Sequence, residues 1–185
     1  EADVKRLGAG CSVTVEGRAH RLPDPFLVIA TQNPYEQEGV FPLPESQLDR
    51  FLFKIDLDYC DAAHEVEMLS LPHTGVTPDM LGEIMPLLGI VGLDKARIEL
   101  DETELPVDVA RYIVGVVRKT REIDGILLGA SSRAAIHLTS ASKASARLEG
   151  RSVVTIDDVR HIAPYVLRHR LICIGDQTPE RALAE

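Results

Sequence analysis

The spacing of apolar residues changes character once along the chain. Near the start it has the two-residue period of strands. Ser12-Val13-Thr14-Val15 alternates, Glu16-Gly17 supplies turn chemistry, and Arg18 to Leu22 returns, which predicts a β-hairpin. Pro23 and Pro25 end it, because proline has no N–H to give to a ladder. Phe26-Leu27-Val28-Ile29-Ala30 is apolar without interruption, as in a strand covered on both faces of a parallel sheet. Phe51 to Leu57 alternates again and predicts a further strand. From about Asp61 to Arg170 the period becomes helical. One helix is expected over Ala62–Leu71, carrying Val66 and Leu69, with Asp61 as its N-cap. A second spans Leu105–Glu122, with Val109, Ile113, Val116 and Val117 on one face. A third spans Ser132–Leu148, with Ile136 and Leu138. The last starts at Thr155, with Asp158 three residues on as a variant of the capping box, and runs through Val159, Ile162 and Val166 until Pro164 breaks or kinks it. Leu71 to Leu100 is punctuated by Pro72, Pro78, Pro86, Gly75, Gly89 and Gly92 and gives no clear period.

A length of 185 residues suits one domain with a smaller subdomain. The 45% of hydrophobic residues is enough for a core. The net charge of −9 argues against a general binder of nucleic acid or of acidic membranes, since phosphate binding needs a basic surface. Arg168-His169-Arg170 is a local basic cluster and reads as a solvated helix end. Cys11, Cys60 and Cys173 form no C-x-x-C pair, so no zinc site is expected, and their usage fits reduced thiols in a cytoplasmic protein. No apolar run approaches the roughly 20 residues that span a bilayer. No signal peptide is visible, and the chain begins at Glu1 without methionine, so targeting information can lie outside it.

The candidate chemistry begins with two absences. The sequence holds no G-x-x-x-x-G-K-[ST], the loop whose amides cradle phosphates. Gly8-Ala9-Gly10 has no lysine after it and reads as a turn. Nor does any apolar strand end in Asp-Glu, the usual pair for magnesium and water. Three positions stand out against this background. Asn33 directly follows the Phe26–Ala30 run, at the strand end where open α/β sheets bind ligands, although Asn-Pro alone is also ordinary turn chemistry. Arg50 ends a short segment, Glu45 to Arg50, expected to be helical after Pro44. Its guanidinium could reach a phosphate across a subunit boundary or form a salt bridge with Asp49 or Glu45. Arg133 sits in the first turn of a helix capped by Ser131 or Ser132, where a cation does not help the helix but an anion is welcome. A ligand and a structural ion pair are equally open there.

Taken together, FLVIATQNPYEQEGVFPLPESQLDRFLFKIDLDYC, YIVGVVRKTRE, GASSRAAIHLTSASKASARLEGR and VTIDDVRHIAPYVLRHRL, in this order, resemble the MoxR-type AAA+ ATPases over about Ser12 to Leu171. The resemblance implies an α/β remnant of an AAA+ P-loop core over residues 1–58 and an all-α lid over 59–185, mostly helical overall. It implies that Asn33 is the sensor 1 residue and Arg50 the arginine finger given in trans to a neighbouring subunit. Arg133 would be sensor 2, reaching the nucleotide phosphate, and the Ser12–Leu22 hairpin the insert before sensor 1. ATP and Mg2+ would serve the intact protein, a ring, hexameric in the family, that remodels or activates client proteins with a von Willebrand A-domain partner. Neither nucleic acid nor membrane is implied. Glu1 to Cys11 does not match the family's helix, and Pro78 to Leu100 is richer in proline and glycine. Without Walker A and Walker B segments this chain alone is expected not to hydrolyse ATP. An exposed sheet edge and apolar face would favour self-association. Two other readings stand beside this one: a non-catalytic protein-interaction module, favoured by the missing phosphate loop, and a DNA-binding helical domain, favoured only by the Arg168–Arg170 cluster.

Overall fold

A computed structural model of the chain describes residues 3–7, 10–32, 43–70 and 89–184. The chain forms two compact units, Glu1–Pro42 and Leu43–Glu185.

The first unit holds a three-stranded antiparallel meander of β1 (Asp3–Leu7), β2 (Gly10–Val15) and β3 (Arg18–Arg21). The expected hairpin is its second half, with Val13 opposite His20 and Val15 opposite Arg18. Glu16 and Gly17 both have positive φ, 50° and 78°, which is the two-residue turn whose twist matches that of paired strands. The segment before the hairpin, without a family match in sequence, supplies β1, with Val4 opposite Val13.

The expected strand at Phe26–Ala30 does not form. Those residues belong to no strand or helix, and Leu27 and Ile29 are 80% and 79% exposed. A strand of this kind needs a neighbour on each edge, and the described residues hold no parallel strand to pair with it. The Phe51–Leu57 segment likewise joins no sheet.

The second unit is helical. It contains α1 (Glu45–Leu48), α2 (Ala62–Met68), α3 (Ile90–Glu102), α4 (Val107–Lys119), α5 (Ser132–Leu148), α6 (Ile156–Leu167), a 3-10 turn at Arg168–Arg170, and α7 (Pro179–Ala184). Two short strands, β4 (Ile126–Leu128) and β5 (Ile172–Cys173), pair antiparallel. The caps expected at Asp61 and Thr155 are in place. Asp61 accepts from the His64 amide at 3.0 Å, and Thr155 and Asp158 form a reciprocal capping box at the start of α6. Of the difficult stretch, residues 71–88 lie outside the described residues, and α3 takes up the rest.

The core lies between α4, α5 and α6. Val109, Ile113 and Val117 of α4 meet Leu138 and Ala141 of α5, and Val159, Ala163 and Val166 of α6. The helical period of α4 is thus borne out, whereas Ile136 of α5 points outward at 66% exposure. Each large side chain buried this way contributes roughly 2 kcal/mol. By that measure α2, with no buried residue, is held by its cap and not by packing. Pro164 does not end α6, which continues to Leu167. Its carbonyl, in turn, accepts from Arg168 Nε at 3.1 Å.

The loop into α5 is fixed by a glycine. A Cβ on Gly129 would stand 2.7 Å from the Thr120 carbonyl oxygen and 2.7 Å from Arg121 Cγ. That close approach lets the Ala130 amide donate to Thr120 Oγ1 at 3.0 Å and Arg121 Nε donate to the Ala130 carbonyl at 2.9 Å. Gly129 therefore locks the start of α5 against the end of α4. Gly129→Ala should destabilise the helical unit by about 1–3 kcal/mol, the usual cost of overpacking. Urea denaturation of the variant checks this, and an unchanged midpoint would show that the loop has room to move.

Candidate functional site

The residues singled out in the sequence are brought together only in part. Arg50 and Arg133 lie in the same unit, around the turn that follows α1; Asn33 lies outside the described residues.

Pro44 starts α1, its carbonyl accepting from the amides of Gln47 at 2.8 Å and Leu48 at 3.0 Å. The amides of Asp49, Arg50 and Phe51 then close the turn onto Glu45, Gln47 and Leu48. Arg50 projects outward from it. Its side chain makes no hydrogen bond or ion pair among the described residues, so the alternative left open by the sequence, a bridge to Asp49 or Glu45, is not formed.

Asp49 is engaged elsewhere. Its carboxylate accepts from Arg133 Nη1 at 3.1 Å, from Arg170 Nη1 at 2.7 Å, and from Ser131 Oγ at 3.0 Å. Ser131 is the N-cap residue of α5, but its hydroxyl turns to Asp49 and makes no capping bond. The first turn of this 17-residue helix is thus without a side-chain cap, and Arg133 stands in it, half exposed.

Arg170 overturns the reading of Arg168–Arg170 as a solvated helix end. Its side chain is 1% exposed. The guanidinium donates to the Asp49 and Phe51 carbonyls and to Val166 O, besides the Asp49 carboxylate. Its Nη2 also lies 2.7 Å from His137 Nδ1. A guanidinium has only donors, so Nδ1 must be the acceptor, which requires neutral His137. Burial, assisted by the Arg170 charge, pushes the His137 pKa below its ordinary value in agreement. His169 Nε2 sits 3.1 Å from the Phe51 carbonyl and must donate to it, leaving Nδ1 buried without a partner. Burial lowers the His169 pKa too, so both imidazoles are neutral near pH 7. Arg168 ion-pairs with Asp56, and the Lys54 amide donates to the Tyr165 carbonyl at 3.0 Å. The Phe51–Leu57 segment is therefore laid along the end of α6 in place of a sheet.

Magnitudes separate the two arginines bound to Asp49. An ion pair as exposed as Arg133–Asp49 is worth about 0–1 kcal/mol. The Arg170–Asp49 pair is out of water on the arginine side, and breaking such a pair costs about 3–5 kcal/mol. Arg133 is thus a guanidinium that an incoming anion can take over cheaply, while Arg170 is fixed structure. The sequence reading missed Asp49 as the hub and Arg170 as its partner. The available signal was Arg170 followed by the apolar Leu171 and Ile172, which a helix end in water does not need.

The arrangement presents two accessible guanidinium groups, Arg50 and Arg133, suited to phosphate oxygens. Among the described residues no group of three His, Cys, Asp or Glu could hold a metal ion. The described side chains at this place offer positive charge suited to the phosphate end of a nucleotide. No helix among them is long and apolar enough to cross a membrane.

Comparison with known proteins gives the same frame. Residues 8–53 match the ATPase family associated with various cellular activities (AAA), and residues 118–185 match the AAA lid domain. Protein YeaC of Bacillus subtilis is 40% identical over 161 residues, covering 87% of this chain and 49% of that protein. Chaperone MoxR1 of Mycobacterium tuberculosis is 37% identical over 170 residues, covering 89% and 45%. The crystal structure of a candidate ATPase from Cytophaga hutchinsonii superposes with a TM-score of 0.81 at 32% identity, over 94% of this chain and 56% of that one. The chain spans about half the length of the curated relatives it matches. Matched along most of its length in sequence and in structure, the chain belongs to the MoxR-type AAA+ ATPases.

Proposed function

We propose that this chain is the C-terminal portion of an ATP-driven ring ATPase that remodels or activates client proteins, and that its lid reports nucleotide through Arg133 while Arg50 serves the neighbouring subunit. The observation that carries the reading is the pairing of Arg133 with Asp49, next to an Arg50 that has no partner of its own among the described residues. Bound ATP would supply a γ-phosphoryl group for transfer to water, with Mg2+ held by residues outside this chain. Arg133 binds the phosphates of its own subunit by leaving a weak, half-exposed ion pair, and the uncapped first turn of α5 adds backbone amides to the same place. Arg50 supplies positive charge where negative charge gathers on the phosphoryl oxygens next door. Asn33 orients the attacking water, a role that rests on the family resemblance. Ring assembly, six subunits and a von Willebrand A-domain partner belong to the same reading and rest on the family resemblance, while client remodelling accords with the word chaperone in the name of the MoxR1 relative. Unpaired Cys60 and Cys173 support work in the cytoplasm.

Arg133→Ala tests this in the full-length protein. Losing a charged hydrogen bond to phosphate should weaken ATP affinity about tenfold or more. The lid should keep its melting temperature, because the Asp49 pair is worth at most about 1 kcal/mol. Calorimetric titration with a slowly hydrolysed ATP analogue, beside a thermal melt, reads both. A lowered melting temperature with intact affinity would assign Arg133 to the ion pair alone.

A further inference from the structure

Arg170 holds the backbone on both sides of Arg50. Its Nη1 donates to the Asp49 carbonyl at 2.7 Å and its Nη2 to the Phe51 carbonyl, so a single guanidinium bridges the peptide group before Arg50 and the one after Phe51. Nε is anchored to Val166 O at 2.7 Å, within α6, and the Asp49 carboxylate balances the charge at 2.7 Å. His169 adds a second donor to the Phe51 carbonyl. Arginine suits this task because its donors lie in one plane at fixed angles. A lysine ammonium could keep the ion pair with Asp49 but could not span both carbonyls in the same geometry.

We propose that Arg170 is a positioning residue for Arg50. It ties the turn that carries Arg50 to the last long helix of the lid, so that the exposed guanidinium leaves the surface from a fixed base. The inference rests on the reading of Arg50 as a group given to the next subunit. It differs from a plain structural role in where the damage shows. A lid weakened for its own sake harms its own nucleotide site, whereas a loosened Arg50 harms the neighbour's.

The test uses rings of the full-length protein. Arg170→Lys is placed in subunits whose own phosphate loop is disabled, so that they can only lend Arg50, and these are mixed in excess with wild-type subunits. Wild-type sites flanked by them should turn over about tenfold to a hundredfold more slowly than sites flanked by loop-disabled subunits with Arg170 intact, the scale expected when a reacting group is misplaced by about 1 Å. ATP affinity of the wild-type sites should not change. Amide hydrogen exchange in the variant should speed up at residues 49–52 and stay as it was in the core of α5. Equal turnover in both sets of rings, or unchanged exchange at residues 49–52, overturns the proposal. Arg50→Ala in the same loop-disabled subunits separates the two ideas. If it leaves flanked sites at full rate, the reading of Arg50 fails; if it silences them while Arg170→Lys does not, only the positioning role fails. Should Arg170→Lys subunits not enter rings, Asp49→Asn carries the test. It leaves both carbonyls on the fork but removes its charge partner, and flanked sites should slow about threefold; an undiminished rate there sinks the proposal.

Discussion

Replacing Arg50 with alanine in the full-length protein will lower ATP turnover by about a thousandfold or more, the usual worth of an arginine supplied across a subunit boundary. ATP binding by the variant should stay near wild type, because the Arg50 side chain is exposed and bonds to no described residue, whereas Arg133 and Asp49 pair with each other. Thermal stability should also be untouched, since the Arg50 side chain is exposed and bonds to nothing among the described residues. The decisive measurement uses mixtures. Arg50→Ala subunits keep a working phosphate loop and lack the arginine; loop-disabled subunits have the opposite defect. Each is inactive alone, and mixed rings should recover part of the rate at interfaces where an intact loop faces an intact Arg50. Mixtures that stay inactive although ring assembly is normal, or an Arg50→Ala ring with nearly full turnover, would remove Arg50 from the catalytic machinery.

The second large effect is on stability. Asp158 is the third residue of α6 and is 4% exposed. Its carboxylate takes two hydrogen bonds from Arg151, at 2.7 and 2.6 Å, one from the Thr155 amide at 2.9 Å, one from Thr155 Oγ1 at 2.8 Å and one from Ser145 Oγ at 3.2 Å. Asp158→Ala removes both acceptor oxygens and with them the capping box and the charged bonds from the half-exposed Arg151, so the helical unit should lose about 2–4 kcal/mol. A melting temperature lower by about 10 °C is expected for a unit of this size. The pH dependence gives an independent check. The Arg151 guanidinium, with the Thr155 bonds, holds the Asp158 carboxyl far below the ordinary carboxylate range. A group whose folded pKa is lowered contributes in full above its unfolded value, about 4, and loses that contribution as pH falls below it. The wild-type and Asp158→Ala stability curves should therefore stay parallel above about pH 4 and converge below it. Curves that remain parallel down to acid would show that the carboxylate is not what Arg151 and Thr155 hold.

The lid was the legible part of this sequence. α5 has the bounds that periodicity assigns it, and Thr155 with Asp158 forms the cap that the spacing announces, because both signals are local and need no distant partner. The strands at Phe26–Ala30 and Phe51–Leu57 were misread for the opposite reason. An apolar run shows that a segment suits a sheet, but a ladder also requires a neighbour, and the described residues provide none. The role of Gly129 was hidden too, because its missing Cβ serves a close contact with Thr120 that sequence does not record. Burial of Arg170 was hidden because sequence records that a residue is charged, not whether a carboxylate and two carbonyls converge on it from more than a hundred positions away. At the site itself, Arg50 and Arg133 were legible as exposed cations, and Asp49, which joins one of them to Arg170, was not.

The hold of Arg170 on the Asp49 carbonyl spans 121 positions of the chain. Such a contact carries the full entropy of closing a long loop and is among the last to form during folding. On the ribosome, the turn bearing Arg50 emerges early and stays unfastened while α2 to α6 are still being made. It is set only when Arg170 has cleared the exit tunnel. The base from which Arg50 projects is thus fixed only when the helical unit is nearly complete.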